Sequence, residues 1–169
     1  SDHVREKDGL WAVLMWLNIL AASGKSVGDI MTHHWATYGR HYYSRHDYEA
    51  VDKARAETVM AGLEAQLSDL VGVAHQGETV QAADSFTYHD PVDGSVAKNQ
   101  GLRVMFESGA RFVMRLSGTG TQGATVRLYL EAYEGPDGDH GADVAERLAP
   151  VAAIADDLTA LKATVQREG

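Results

Sequence analysis

The chain reads Leu102-Arg103-Val104-Met105-Phe106-Glu107-Ser108-Gly109-Ala110-Arg111-Phe112-Val113-Met114-Arg115-Leu116 over the stretch that decides its fold. Apolar residues alternate with polar or differently sized neighbours on both sides of Ser108-Gly109. This is the pattern of two half-buried strands joined by a tight hairpin turn. After a loop predicted over Ser117–Ala124, a third strand follows with Val126, Leu128 and Leu130 on one face. The sequence therefore predicts an antiparallel sheet at the centre of the domain.

Helical patterns flank this sheet on both sides. Ser26 followed by Asp29 is typical of a helix N-cap with an acidic N3 residue, and the spacing of apolar residues predicts four helices. They cover residues 9–22, 26–38, about 52–71 and 142–166, the last one kinked or restarted at Pro150. An aromatic-rich segment over 40–48 is predicted as a further strand. Helices around a mainly antiparallel sheet indicate the α+β class.

Composition limits the classes of function. A chain of 169 residues is one ordinary domain, or one domain with part of a neighbour. It contains no cysteine, which excludes a disulfide framework, a zinc-thiolate site and a cysteine nucleophile, and which fits the reducing cytoplasm. A net charge of −9 disfavours nucleic acid and anionic membranes as partners. Any anion must therefore be held by a local cluster of donors.

The predicted helix over residues 9–22 is apolar nearly all round. Its apolar run is shorter than the roughly 20 residues that cross a bilayer, so no membrane association is expected. A helix of this kind needs protein on more than one side. We expect self-association through it. Trp11, Trp16 and Trp35 are expected to lie in a core or an interface between domains.

The most informative segment is the glycine-rich loop Arg115-Leu116-Ser117-Gly118-Thr119-Gly120-Thr121-Gln122-Gly123. Its G-x-G-x-x-G spacing is that of a dinucleotide-binding loop, but a helix must follow such a loop. Here the residues that follow it alternate like a strand, so this interpretation fails. A loop between two strands can still hold an oxyanion through inward amides and the hydroxyls of Ser117, Thr119 and Thr121.

Two arginines strengthen the interpretation of this loop as a phosphate site. Arg115 precedes the loop and Arg127 follows it, and guanidinium groups form charge-assisted, bidentate bonds with phosphate. The same pattern fits a flexible hairpin with two solvated arginines equally well. The eight histidines and the Asp137-Gly138-Asp139 turn show no ligand spacing typical of a metal site, so no bound metal is expected.

Four motifs in order resemble the phosphoglucomutases of the α-D-phosphohexomutase superfamily. They are Val4-Arg5-Glu6-Lys7-Asp8-Gly9-Leu10-Trp11, Asp90-Pro91-Val92-Asp93-Gly94-Ser95, Asn99-Gln100-Gly101-Leu102-Arg103 and Arg115-Leu116-Ser117-Gly118-Thr119-Gly120. The resemblance is to the C-terminal part of that family. It implies residues 1–35 as the end of the third domain and 36–169 as the fourth, phosphate-binding domain, with a fold like that of the TATA-box-binding protein.

The resemblance also implies a function and its residues. Enzymes of this family interconvert glucose 1-phosphate and glucose 6-phosphate through a phosphoserine, Mg²⁺ and glucose 1,6-bisphosphate. The residues that match the family's phosphate-binding loop are Arg115, Ser117, Gly118, Thr119, Gly120 and Arg127. Lys7 matches a lysine that contacts substrate and is a candidate for proton transfer.

The departures from the family pattern define a second expectation. The serine nucleophile motif T-A-S-H-N and the metal loop D-G-D-G-D are absent, and the sugar motif G-E-E-S would precede Ser1. We therefore expect a fragment of a larger phosphotransferase that binds substrate phosphate, lacks catalysis and binds no cofactor itself. Two alternatives stay open, namely a self-standing phosphosugar-binding module and an interaction domain in which the glycine loop is only a turn.

Overall fold

A computed structural model describes residues 7–120 and 123–165, with residues 118–120 as backbone only. The chain forms two compact units. The first contains residues up to Arg40 together with Gly135–His140, and the second contains His41–Glu134 and the chain from Gly141 onward. The α+β class predicted from the sequence is confirmed. The helices are α1 (Gly9–Ser23), α2 (Val27–Tyr38), α3 (Lys53–Leu70), α4 (Val144–Thr159) and α5 (Leu161–Val165).

Two antiparallel sheets make up the β structure of the described residues. The strands are β1 (Arg40–Val51), β2 (Ala74–His75), β3 (Glu78–Ser85), β4 (Tyr88–His89), β5 (Val96–Ala97), β6 (Leu102–Phe106), β7 (Arg111–Gly120) and β8 (Gly123–Glu134). The larger sheet has the order β1-β8-β7-β6-β3-β2, and β4 pairs with β5 separately. The hairpin predicted at Ser108-Gly109 joins β6 to β7, with Gly109 at a φ of +84°.

One face of the six-stranded sheet forms the core with the helices. Strand β8 alternates buried and half-buried residues from Ala124 to Ala132, and β6 does the same from Leu102 to Phe106. Helix α3 contributes the buried residues Ala56, Val59, Leu63, Leu67 and Leu70. Helix α4 contributes Leu148, Val151, Ile154 and Ala155. The opposite face of the sheet, here called the outer face, carries the arginines of β6, β7 and β8.

The first unit contains the two N-terminal helices. The predicted helix over 9–22 is confirmed as α1, and the predicted cap of α2 is confirmed as a capping box between Ser26 and Asp29. No residue of α1 is buried. Among the described residues no single helix has the length and apolar character to span a bilayer. Only α1 and α2 taken together, with a bend of 88° between them, meet that test by length and composition.

The predicted loop over Ser117–Ala124 is wrong in its extent. Strand β7 continues to Gly120 and β8 begins at Gly123, with a change of register between Ser117 and Gly120. Strand β3 was missed altogether, because Val80 is its one buried residue and its sequence shows no clear alternation. Its extended form depends on pairing with β6, from Val80 opposite Phe106 to Ser85 opposite Leu102.

The predicted restart of the last helix at Pro150 is also wrong. Pro150 lies inside α4, and the helix ends at Ala160, which adopts the left-handed conformation with a φ of +48°. Pro150 is in the second turn, where its missing N–H removes one bond while burial of Leu148 and Val151 holds the helix in place. Ala160 donates its N–H to the carbonyl of Asp156 at 2.7 Å and so closes the helix.

We expect Ala160→Gly to stabilise the chain. An L-residue in the left-handed region carries a steric cost that glycine avoids, and part of this gain is offset by the entropy of glycine in the unfolded chain. The free energy of unfolding should rise by about 0.5–1 kcal/mol in chemical denaturation. The matched control is Ala153→Gly, an exposed position inside α4, which should lower it by about 1 kcal/mol. A loss of stability in both variants would contradict this account.

Candidate functional site

Arg115 and Arg127 lie directly opposite each other on β7 and β8. Residues paired in this way have Cβ atoms roughly 5 Å apart, and like charges placed so are destabilising. Both side chains belong to the outer face, because Met114 and Val126, their neighbours along the two strands, are buried in the core. The sheet therefore brings two positive groups together next to the end of the β7–β8 hairpin.

Two other arginines on the outer face are already neutralised. Arg103 donates from Nε and Nη2 to the two carboxylate oxygens of Asp84, at 2.7 and 2.6 Å, and stacks 4.3 Å from the centre of the Phe86 ring. This pair lowers the pKa of Asp84, chiefly through its hydrogen bonds to Arg103, and raises the pKa of Arg103. Arg111 donates from Nε to Glu131 at 2.7 Å.

Arg115 and Arg127 differ from these two in their partners. Within residues 7–120 and 123–165, the guanidinium group of Arg115 makes no hydrogen bond or ion pair. Arg127 has one carboxylate nearby, with its Nε 3.9 Å from Oδ1 of Asp47. Both atoms are buried and neither makes a hydrogen bond. Nε of Arg45 lies 2.9 Å from the same Oδ1 of Asp47, but without hydrogen-bond geometry. A buried donor without a partner costs free energy, so Arg127 is poised for an additional acceptor.

Two glycines allow close approach around this pair. A Cβ on Gly101 would lie 2.9 Å from Cγ of Arg115 and 3.1 Å from the carbonyl oxygen of Met114. A Cβ on Gly123 would lie 2.9 Å from the carbonyl oxygen of Val51, at a φ of +103° that L-residues rarely adopt. Gly101 thus leaves room for the Arg115 side chain to cross it, and Gly123 seats the start of β8 against the end of β1.

The residues predicted for the site fall into three groups. Arg115 and Arg127 are brought together, and Ser117 lies on the same face opposite Thr125. Gly118, Thr119 and Gly120 continue β7, and their side chains lie outside the described residues, as does Thr121. Lys7 is exposed and belongs to the first unit, whereas all the others belong to the second.

Sequence reasoning missed three residues that shape this site. Gly101 belongs to the Asn99–Arg103 motif noted in the sequence, but the reason for a glycine at this position is visible only from its close contact with Arg115. The position of Thr125 opposite Ser117 depends on the register of β7 and β8. The irregularity after Ser117 prevents that register from being predicted from the sequence. Asp47 is 80 positions from Arg127, and no local pattern links the two.

The described residues do not fit a metal site. No group of three or more histidine, aspartate or glutamate side chains within residues 7–120 and 123–165 is arranged to hold a metal ion. His41 instead contacts Glu131 at 2.7 Å and packs against Tyr133. The Mg²⁺ that the family resemblance implies therefore has no ligand set in this part of the chain.

Known proteins match the chain along nearly its whole length. Residues 40–169 match the family model described as phosphoglucomutase-1, C-terminal domain. Residues 1–38 match the model of the phosphoglucomutase/phosphomannomutase alpha/beta/alpha domain III. The chain belongs to the phosphoglucomutase family. The resemblance noted in the sequence is therefore confirmed.

Individual phosphoglucomutases match closely but are longer. The phosphoglucomutase of Rhizobium radiobacter is 58% identical over 163 residues, which is 96% of this chain and 30% of that protein. The cytoplasmic phosphoglucomutase of Mesembryanthemum crystallinum is 53% identical over 92% of this chain and 29% of its own length. The open form of pp63/parafusin from Paramecium, a phosphoglucomutase, superposes with a TM-score of 0.85 at 41% identity, covering 99% of this chain and 29% of that one. The chain thus spans about 30% of the length of the curated relatives it matches.

We expect the Asp84–Arg103 pair to contribute to stability above about pH 4. The pKa of Asp84 is below its ordinary value of 3.8, so its contribution is complete well above that value and is lost as the pH falls through the folded-state pKa. Because 42% of the Asp84 side chain is exposed, solvent screening limits the effect to about 1 kcal/mol.

Urea denaturation between pH 3 and pH 7 measures this contribution. Asp84→Asn should lower the free energy of unfolding at pH 7 and flatten its fall on acidification. The matched control is Glu57→Gln, which removes an exposed pair with Lys53 and should change stability by less than about 0.5 kcal/mol. Parallel pH curves for wild type and Asp84→Asn would refute the assignment.

Proposed function

We propose that residues 36–169 are the phosphate-binding domain of a phosphoglucomutase, and that residues 1–35 end the domain before it. The parent enzyme would interconvert glucose 1-phosphate and glucose 6-phosphate, with a phosphoserine, Mg²⁺ and glucose 1,6-bisphosphate supplied through other parts of the protein. This chain would bind the phosphate of the sugar phosphate. The observation that carries the proposal is the pairing of Arg115 with Arg127 on adjacent strands. Neither arginine is hydrogen-bonded to a carboxylate, as Arg103 is to Asp84 on the same face.

The electrostatics of the pair support phosphate as the ligand. A phosphate dianion placed between two facing guanidinium groups removes their repulsion and accepts bidentate bonds from both. The Nε of Arg127 would gain an acceptor. The hydroxyl groups of Ser117 and Thr125 share this face and are further donors. An acidic chain with a net charge of −9 does not attract anions in general, so the site must act locally.

The 169-residue chain by itself should bind phosphate without turning substrate over. It contains no T-A-S-H-N or D-G-D-G-D motif, which in the family carry the nucleophile and the metal. Lys7, a candidate for substrate contact and proton transfer, has no such group to work with inside this chain. We also propose a cytoplasmic location, which the name of the relative from Mesembryanthemum crystallinum states for that protein. The proposed partners are sugar phosphates, and not nucleic acid or membranes.

The test of phosphate binding is a titration of the chain with inorganic phosphate, followed by amide NMR. We expect a dissociation constant of about 1 mM or weaker, because ordering the hairpin end offsets part of the charge-assisted bonding. Arg127→Ala should abolish binding, whereas Arg127→Lys should restore it only in part, because an ammonium group lacks the planar fork.

The control for this titration is Arg147→Ala, which removes a guanidinium paired with Glu134 at 2.6 Å on the helical side of the domain. It should bind phosphate like wild type. If the largest shifts lie outside residues 115–127, or persist after loss of both Arg115 and Arg127, the hairpin is only a turn.

We further propose that the chain associates with a second copy through α1. Eight large apolar side chains of this helix are exposed, among them Leu10 at 79% and Leu14 at 59%. An exposed apolar surface of this kind drives association. In a longer relative, the remainder of the third domain would cover this surface.

Sedimentation velocity over a concentration series tests this association. Wild type should shift toward dimer as its concentration rises, and Leu10→Lys with Leu14→Lys should stay monomeric. Val92→Lys is the matched control, because Val92 is equally apolar and 93% exposed but lies in the turn between β4 and β5. A wild-type chain that stays monomeric at high concentration would count against the proposal.

A further inference from the structure

One carboxylate, that of Asp47, lies beside the facing pair of arginines on the outer face. Asp47 is on β1, the strand next to β8, where it precedes the buried Tyr48 and so belongs to the opposite face. Its Oδ1 lies 3.9 Å from Nε of Arg127 and 2.9 Å from Nε of Arg45. This Oδ1 is buried and accepts a hydrogen bond from neither group. Asp47 therefore acts on Arg127 through its charge, and not through a hydrogen bond.

The pair of Asp84 with Arg103 on the same face is bonded differently. Asp84 accepts two hydrogen bonds from Arg103, at 2.7 and 2.6 Å, and so occupies donors of that guanidinium group. Asp47 lowers the positive potential at Arg127 but leaves its Nε donor unused. Arg127 thus keeps a donor for a ligand, next to a negative charge that repels an anionic ligand.

The charge of Asp47 has opposite effects on the empty and the occupied site. Without a ligand, Arg115 and Arg127 repel each other, and the nearby negative charge offsets part of that repulsion. With a phosphate dianion bound by the two arginines, the same negative charge repels the ligand. Because only 22% of the Asp47 side chain is exposed, water and salt screen this repulsion less than they would at the surface.

We propose that Asp47 is a positioning residue that balances the charge of the empty phosphate site and thereby weakens phosphate binding. The inference rests on the proposed phosphate site and extends it. Two facing guanidinium groups without such a charge beside them would hold a phosphate dianion more tightly. The proposed parent enzyme has to release a sugar phosphate in every turnover, and weaker binding of the phosphate favours that release.

The experiment is a titration of the full 169-residue chain with inorganic phosphate in about 0.1 M salt, followed by amide NMR. Asp47→Asn keeps the size of the side chain and removes its charge. Its dissociation constant for phosphate should be about three- to tenfold lower than that of wild type. Asp47→Glu keeps the charge and should bind phosphate no more tightly than wild type.

Urea denaturation separates charge balance from mechanical support of Arg127. Without phosphate, Asp47→Asn should unfold at a lower urea concentration than wild type, because the repulsion between the two arginines is no longer offset. The same phosphate concentration should raise the midpoint of Asp47→Asn more than that of wild type, since stabilisation by a ligand grows with its affinity. Loss of mechanical support would instead lower the midpoint and weaken phosphate binding together.

The matched control is Glu134→Gln, which removes a carboxylate from β8 and breaks its pair with Arg147 at 2.6 Å. Glu134 is seven positions from Arg127, about 23 Å along the strand, so its charge is screened at the phosphate site. Glu134→Gln should bind phosphate like wild type.

The outcomes distinguish this proposal from the one on which it rests. If phosphate shifts the hairpin amides of wild type but binds Asp47→Asn equally or more weakly, the role of Asp47 is overturned and the phosphate site stands. Tighter binding by Asp47→Glu or Glu134→Gln overturns that role as well. If phosphate shifts the hairpin in no variant, both proposals fall. Tighter binding by Asp47→Asn alone, with a lower midpoint of the empty chain, supports the charge-balancing role.

Discussion

The antiparallel pairing of β7 with β8 is the interaction on which the domain and its candidate site both depend. Side chains alternate between the two faces of a sheet, so one register decides the identity of both faces. The register that pairs the buried residues Met114 and Leu128 in the core also places Arg115 opposite Arg127 outside it. A slip of one residue would bury the arginines and expose the core, so packing of the core specifies the geometry of the site.

The outer face shows how a chain with a net charge of −9 can hold an anion. Carboxylates engage Arg103 and Arg111 closely, whereas Asp47 stays 3.9 Å from Nε of Arg127. The facing pair Arg115 and Arg127 thus keeps its positive charge, whereas the charges of Arg103 and Arg111 are neutralised. The repulsion between the two facing arginines opposes folding, and the core of β7 and β8 must overcome it.

The close approaches at two glycines connect this site to the rest of the sheet. Gly101 lies under the Arg115 side chain, and Gly123 rests on the carbonyl of Val51 just before helix α3 begins. The third glycine of the G-x-G-x-x-G pattern therefore has a packing reason, independent of any ligand.

Interactions between residues close in the chain made several secondary-structure elements predictable from the sequence alone. Alternation over residues 102–116 predicted β6, the turn and β7, and the Ser26–Asp29 capping box predicted the start of α2, because both depend on residues a few positions apart. The pair Arg115 and Arg127 was also visible, as flanks of one hairpin. Only the tertiary structure decided that α4 continues through Pro150 and that β3 is a strand, because burial against the sheet and pairing with β6 override weak local preference. It also decided which arginines are neutralised, since Asp84 reaches Arg103 from 19 positions away and Asp47 approaches Arg127 from 80, through contacts that exist only once the strands are paired.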